Sequence, residues 1–275
     1  MNESIGFIGA GKVGVTLAKF FKDKGLNVKF IVARSRASFE RATKYIKTVK
    51  IIRELEEIPK TDVIFVTVND DAIKAVSHKV RRITGEETII IHTSGFHPSS
   101  LIPGKNASFH PLFSFADMEK AYSSLQNILF AIEGSEEGKN FLKKLCQKLN
   151  LKYTEIHTKS KPLYHIAAVI ASNYLVTLMH HAIAALKASG ATSNEALKGL
   201  ITLSKGTLEN IIIKGTPDAL TGPIARRDIE TIEKHLEALE NYRDLKEFYK
   251  VMGLFTTKML KKDKKLTIIE EKLRN

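Results

Sequence analysis

Cysteine is nearly missing from this chain of 275 residues, Cys146 being the only one. That excludes a disulfide framework and any cysteine-based metal site, so no metal is expected, and a reducing cytoplasm is the natural compartment. Cys146 falls in Phe141-Leu142-Lys143-Lys144-Leu145-Cys146, a helical pattern that predicts a core position. Glutamine is scarce as well, with only Gln126 and Gln147. Set beside many lysines and glutamates, that scarcity suggests a heat-adapted (thermophile) source. A basic-then-apolar leader is also missing, because a strand pattern begins almost at once, and no signal peptide is expected. Repeats, low-complexity tracts and long linkers are absent.

Acid is in deficit, with 30 acidic against 43 basic side chains and a net charge of +13. Such a balance raises the question of nucleic acid. The lysines, however, are spread over the whole chain, alternate with glutamates on predicted helix faces and form no stripe interleaved with aromatics. No nucleic-acid partner is expected; the charge suits polyanionic cofactors and carboxylate substrates instead. The length leaves room for one large or two ordinary domains.

The pattern that organises the chain is Ser4-Ile5-Gly6-Phe7-Ile8, a short buried strand, followed at once by Gly9-Ala10-Gly11-Lys12-Val13-Gly14 and an apolar helical period. This is G-x-G-x-x-G between strand and helix, the context in which it binds a dinucleotide. Gly9 permits the tight turn, Gly11 lets backbone approach a pyrophosphate, and Gly14 lets the helix pack close to the strand. The next strand, 27–32, ends in Ala33-Arg34-Ser35-Arg36, where an NAD-binding protein offers an acidic residue to the ribose hydroxyls. Here Arg34, Ser35 and Arg36 favour a 2′-phosphate, hence NADP (NADPH), over ordinary solvated arginines.

Alternation continues with a helix over 37–47, a strand over 49–52, and the strand Asp62–Val68, which runs into Asn69-Asp70-Asp71. Asp70 or Asp71 is expected to cap the following helix. Further strands are expected over 88–92, 107–109, 127–132 and 152–156, with a helix over 136–149. This predicts an α/β, largely parallel, doubly wound sheet over 1–157. From 158 every period is helical: 162–189, 193–213, 228–240 and 242–262, a helical domain over 158–275. The stretch 164–186 is long enough to span a bilayer. It contains His165, Asn173, His180 and His181, and a central helix buried on all sides explains it better than a membrane span, so no membrane partner is expected.

Ligands of open α/β sheets lie at the carboxyl ends of the strands. Thr67, Val68 and Asn69, Thr93 and Ser94, and His110 gather there by this reading, the first five beside the cofactor. His110 is a candidate proton donor, set against a structural histidine; His92, on an apolar strand, reads as a core histidine. On the long helix Lys161, His165, Val169, Ser172 and Asn173 recur near one face, either as a polar stripe aimed at a cleft or as residues bonded within a bundle. Asp228, Thr231 and His235 share a face near Thr221-Gly222-Pro223; Asp228 reads as an N-cap or a site residue, and Arg226 could clamp a carboxylate.

These segments together resemble the Rossmann-like oxidoreductase family whose C-terminal half is a domain of unknown function, related to the 6-phosphogluconate dehydrogenase-like superfamily. The resemblance rests on Gly9–Gly14, Val66–Asp70, His92–Gly95, Ser108–Leu112, Lys161–His165 through Asn173–Leu175, and Thr221–Arg226 with Asp228, Thr231 and His235. Where the family has glycine before that aspartate, this chain has Arg227. The resemblance implies a Rossmann NADP-binding domain and an all-α 6-phosphogluconate dehydrogenase-like domain that commonly mediates dimerisation, hence a homodimer. It implies a hydride transfer between NADPH and a small carboxylate-bearing oxo or hydroxy acid, 2-dehydropantoate being the leading expectation by likeness to ketopantoate reductases. In that scheme His110 or His165 supplies the proton, Lys161 and Asn173 orient the carbonyl, and Arg226 binds the carboxylate. Prephenate dehydrogenases, whose His-Pro-Met segment His110-Pro111-Leu112 resembles, suggest a hydroxy-acid dehydrogenase instead; pyrroline-5-carboxylate reductases are a third comparison. An alternative from another class is a non-catalytic NADP-binding sensor or scaffold.

Overall fold

A computed structural model describes residues 2–275. Two compact units divide the chain, Met1–Ser172 and Asn173–Asn275. The first is built on β1 (Ile5–Ile8), α1 (Lys12–Asp23), β2 (Val28–Val32), α2 (Arg36–Tyr45), β3 (Lys50–Ile52), β4 (Val63–Val66) and α3 (Asp70–Thr84). It continues with β5 (Ile89–His92), β6 (Asn106–Pro111), α4 (Met118–Ser124), β7 (Leu129–Gly134), α5 (Glu136–Leu149) and β8 (Lys152–Glu155). The eight strands form one sheet in the order β3-β2-β1-β4-β5-β6-β7-β8. All neighbours are parallel except β6 and β7. Strand order reverses at β1, between β2 and β4, the place where such sheets open a crevice.

Strands β1, β4 and β5 carry unbroken apolar runs because helices cover both faces of the sheet. On one face Phe7, Phe65, Phe109 and Phe130 form an aromatic row across the strands, with Phe7 stacked on Phe65 at 5.1 Å and Phe109 on Phe130 at 4.3 Å between ring centroids. Cys146 is buried in this same core. On the other face Ile8, Val32, Ile64, Val66 and Ile90 pack around Phe30. Gly6 makes this possible, since a Cβ there would lie 2.3 Å from Cζ of Phe30. Arg81, buried on α3, donates to the carbonyls of Pro103, Gly85, Glu86, Thr88 and Lys105, and so ties α3 to the starts of β5 and β6.

Helix α6 (Lys161–Ala188) begins in the first unit and ends in the second, which also holds α7 (Ser193–Lys214), α8 (Pro223–Arg226), α9 (Ile229–Ala238), α10 (Arg243–Thr257) and α11 (Lys264–Arg274). The expected single helix over 242–262 is therefore corrected: it stops at Thr257, and Asp263 starts a new helix by accepting the Leu266 amide. A second correction concerns α6, which is not buried on all sides. None of its apolar span is buried, and Leu163 and Val176 are each 70% exposed. The physical reason is that the apolar core of the second unit, centred on Ile224, Ile232, Leu266, Ile269 and Leu273, draws no residue from α6 or α7. By length and composition Thr158–Ala188 is long and apolar enough to cross a membrane.

Arg227 holds the left-handed conformation, φ 57°, at the position where glycine would be unstrained. Its guanidinium donates to Asp263 Oδ2 at 2.9 Å and to the carbonyls of Ala225 and Lys261. Asp228 is an N-cap, accepting from the Thr231 amide and hydroxyl.

Gly14 sets how closely α1 approaches the sheet. A Cβ there would stand 2.3 Å from both the Gly9 carbonyl oxygen and Thr67 Oγ1. The substitution Gly14→Ala is expected to lower the unfolding free energy by about 1–3 kcal/mol, as overpacking does, measured by urea titration; an unchanged midpoint would refute this account of the α1 contact.

Candidate active site

The glycine-rich turn is held from below and behind. Gly9 sits at φ 107°, which an L side chain rarely adopts, and its amide donates to the Val32 carbonyl. Thr67, just past β4, donates its hydroxyl to the Gly9 carbonyl at 2.7 Å. Arg41 of α2 reaches across to donate to the Ala10 carbonyl at 2.8 Å, and Lys12 donates to that of Ala116. Gly11, the N-cap of α1, has no side chain to cap the helix, so the first amides of α1 are left for a ligand. Above them opens a cavity of about 680 Å³ lined by Gly9, Ala10, Gly11, Thr67, Val68 and Asn69. Arg34, Ser35 and Ser38 and, from other elements, Leu55, Glu56, Val76 and Lys79 also line it, with Glu56 and Lys79 ion-paired. Backbone amides at a helix N-terminus, a turn that a Cβ at Gly9 would fill, and an arginine in the same cavity together fit a dinucleotide with its phosphates on the turn.

Past β5 and β6 lies a second polar group. Lys161, the first residue of α6, is 1% exposed. Its ammonium donates to the Ser94 carbonyl at 2.7 Å and to Ser108 Oγ, and stands 3.7 Å from Glu133 Oε1. Glu133, also buried, accepts from the Ser99 amide, the Ser99 hydroxyl and the Thr158 hydroxyl, each at 2.7 Å. Burial pulls the Lys161 pKa down to about 8, against the opposing attraction of Glu133. Ser94 donates its hydroxyl to Asp70 at 2.7 Å and accepts the amides of Phe96 and His97. Neither Asp70 nor Asp71 is the cap of α3 that their position suggests: Asn69 is the N-cap residue, without a side-chain bond, and Asp70 holds the loop after β5 instead.

His110, half-buried at the end of β6, places Nδ1 2.7 Å from the Tyr164 hydroxyl. Burial, with the Lys161 charge and the His165 ring nearby and Asp70 opposing, pushes the His110 pKa down to about 4. Burial likewise raises the Tyr164 phenol to about 12. His92 is fully buried, takes the Ser94 amide on Nδ1, and has its pKa pushed down to about 3 by burial. His165 packs edge-on against Phe96, and its Nδ1 is buried without a partner.

Of the residues the sequence singles out, Gly9 to Gly14 and Thr67 form the turn and its support, and Arg34, Ser35, Val68 and Asn69 share its cavity. Val13 packs against the core, and Thr93 is half-buried on the loop after β5. Arg36 points away, 92% exposed and paired with Glu40. Lys161, His110, Ser94 and His165 gather in the first unit; Asn173 and Arg226 belong to the second and are exposed. Sequence reasoning passed over Glu133, Tyr164, Arg41 and Ser38. Glu133 had a signal: it is the one charged residue in Leu129-Phe130-Ala131-Ile132-Glu133-Gly134, an otherwise apolar strand. Among the described residues no cluster of histidine, cysteine and carboxylate side chains could hold a metal ion.

Residues 2–104 match the Rossmann-like domain model, and residues 128–256 match DUF2520, a domain of unknown function. No curated protein matches the chain. Among solved structures, protein TM1727 from Thermotoga maritima is 30% identical, with a TM-score of 0.74 over 98% of this chain and 100% of that one. Protein BF3122 from Bacteroides fragilis is 22% identical, with a TM-score of 0.74 over 98% of each chain. The pyrroline carboxylate reductase of Plasmodium falciparum, solved with NADP bound, is 16% identical, with a TM-score of 0.60 over 99% of this chain and 97% of that one. At 30% identity over the full length of both, the chain belongs with the Thermotoga protein to one family, whose two parts in this chain are a Rossmann-like domain and a DUF2520 domain.

Proposed function

We propose that the protein is a soluble, cytoplasmic NADP-dependent reductase acting on a small carboxylate-bearing oxo acid, with 2-dehydropantoate the first candidate. The observation that carries the reading is the glycine cradle at the reversal of strand order, with Arg34 and Ser35 at the end of β2 where a carboxylate would repel a 2′-phosphate. The likeness to a pyrroline carboxylate reductase holding NADP supports the cofactor and adds cyclic imino acids to the substrates to be tried. NADPH, when bound, supplies a hydride. The chain's part is to hold the phosphates on the α1 amides, to place the buried Lys161 charge behind the reacting group, and to offer a proton from the His110 side of the site.

NADPH titrated against the protein should bind at least about tenfold more tightly than NADH. Arg34→Ala should weaken NADPH by about 10–100-fold, the worth of one charge-assisted hydrogen bond, and leave NADH unchanged. Equal affinities for the two would sink the cofactor assignment. Loss of reduced-nicotinamide absorbance with one member of a panel of oxo and cyclic imino acids would name the reaction, whereas binding without turnover across the panel would favour a sensor.

The pH dependence of that turnover follows from two groups. The Lys161 charge, present below a pKa of about 8 and lost above it, predicts a rate that falls as pH rises through about 8. His110, with a pKa of about 4, is neutral throughout the range above about pH 5, so no histidine limb is expected near pH 6 to 7. A rising limb centred near pH 6.5 would contradict this.

The partner we propose is a second copy of the chain, seated on the apolar residues of α6 and α7. Val176, Leu203, Ile212 and Ile213 stand exposed there, and grouped exposed apolar side chains mark an interaction surface. Light scattering should give the mass of two 30.7 kDa chains. The pair Val176→Glu and Ile212→Glu should reduce it to one; a single-chain mass in the unaltered protein would reject the dimer.

A further inference from the structure

The contact between His110 and Tyr164 has only one strong arrangement. A phenol hydroxyl is a better donor than acceptor, and the unprotonated ring nitrogen of imidazole is a better acceptor than a phenol oxygen, so the proton between them belongs to Tyr164 and points at Nδ1. The partner of one ring nitrogen decides the state of the other. With Nδ1 accepting at 2.7 Å, a neutral ring must carry its own proton on Nε2. That nitrogen bonds to no other group among the described residues. Unlike His92 Nε2 and His165 Nδ1, it is not a buried unpaired atom.

The ring is also seated from beneath. A Cβ on Gly95 would lie 2.8 Å from Nε2, 3.0 Å from Cε1 and 3.2 Å from Cδ2 of His110. Glycine at 95 therefore lets the imidazole rest directly on the loop backbone, with Tyr164 against its edge at an interplanar angle of 86°. Backbone and phenol together leave the ring one position and one orientation.

We propose that Tyr164 and Gly95 are positioning residues that hold His110 as the Nε2–H tautomer, so that His110 donates from Nε2 to the oxygen or nitrogen of the group being reduced. This rests on the reductase reading, which supplies the hydride from bound NADPH. The heteroatom that gains the electron pair on reduction takes the Nε2 proton and Nδ1 takes the Tyr164 proton in exchange; the site resets when water protonates Nε2 and Nδ1 hands its proton back to the phenolate. The imidazole is neutral before and after. The high phenol pKa keeps Tyr164 protonated until an alkoxide or amide anion, a much stronger base, calls on it. Besides Tyr164, the charged and titratable groups that bear on the ring are Lys161 and His165 of α6, Asp70 of α3 and His92 of β5.

The tautomer can be read without a substrate. Long-range proton–nitrogen correlation spectra of the full-length protein at about pH 7 should show His110 with a proton on Nε2 and none on Nδ1, its peaks identified by their loss in His110→Gln. Tyr164→Phe keeps the ring and removes only the hydroxyl; it should shift the His110 signals to a mixture of both tautomers, and Gly95→Ala should do the same by lifting the ring. Both variants should bind NADPH within about twofold of the unaltered protein, measured by fluorescence. A proton on Nδ1 in the unaltered protein would overturn the proposal even if no variant folds, and so would a tautomer unmoved by Tyr164→Phe. If NADPH binds and the tautomer is wrong, this inference fails alone; if NADPH does not bind, the reductase reading falls and takes this one with it.

Discussion

One buried ammonium holds the polar end of the sheet together. Lys161 joins the loop after β5, strand β6 and strand β7 to the first turn of α6 through Ser94, Ser108 and Glu133. Neither charge could stay inside alone, since removing one partner of a buried pair costs about 3–5 kcal/mol. Their hydrogen bonds to Ser99, Thr158 and Ser108 satisfy most of the remaining polar valence. The antiparallel pairing of β6 with β7 places Ser108 directly opposite Glu133. The one departure from parallel order in the sheet therefore lies where the charged pair needs it.

The two polar regions sit along the same carboxyl edge of the strands and are joined by α3. Asn69, at its start, lines the dinucleotide cavity, and Asp70, the next residue, holds Ser94 beside Lys161. A shift of the α3 N-terminus would thus be felt on both sides. Beneath this edge the sheet is stiff: stacked phenylalanines on one face and branched aliphatics on the other leave little freedom to the strand ends. A rigid frame suits a site whose geometry depends on a few hydrogen bonds.

Much of the first unit could be read from the sequence because its signals are local. The strand, turn and helix around Gly9–Gly14 are written in adjacent residues, and α5 ends where the apolar period ends, at Leu149. What escaped depends on residues far apart in the chain. Glu133 and Lys161 make sense only once β7 lies beside β6 and α6 begins above them, and the choice of Asp70 between capping α3 and holding Ser94 is decided 24 residues away. The fate of α6 was illegible for another reason. An apolar period says that a surface will be covered but not what covers it, and the core of the second unit closes without α6. Helix α4, seven residues long and so just under two turns, gives too short a period to recognise.

The turn at Arg227 carries a consequence for the unfolded chain as well as the folded one. Glycine would relax into φ 57° without strain, but it would also wander more widely when the protein is denatured. Arginine narrows that wandering, although at a positive φ the strain of its side chain in the folded state outweighs this gain taken alone. The same guanidinium grips Asp263, the carboxylate that starts α11, so the left-handed strain is offset in the folded state by a tether between two distant turns. A position that looks like a lapse from the family pattern is thereby a place where disorder is withdrawn from the competing ensemble, and where the C-terminal helix is fastened to the rest of its unit.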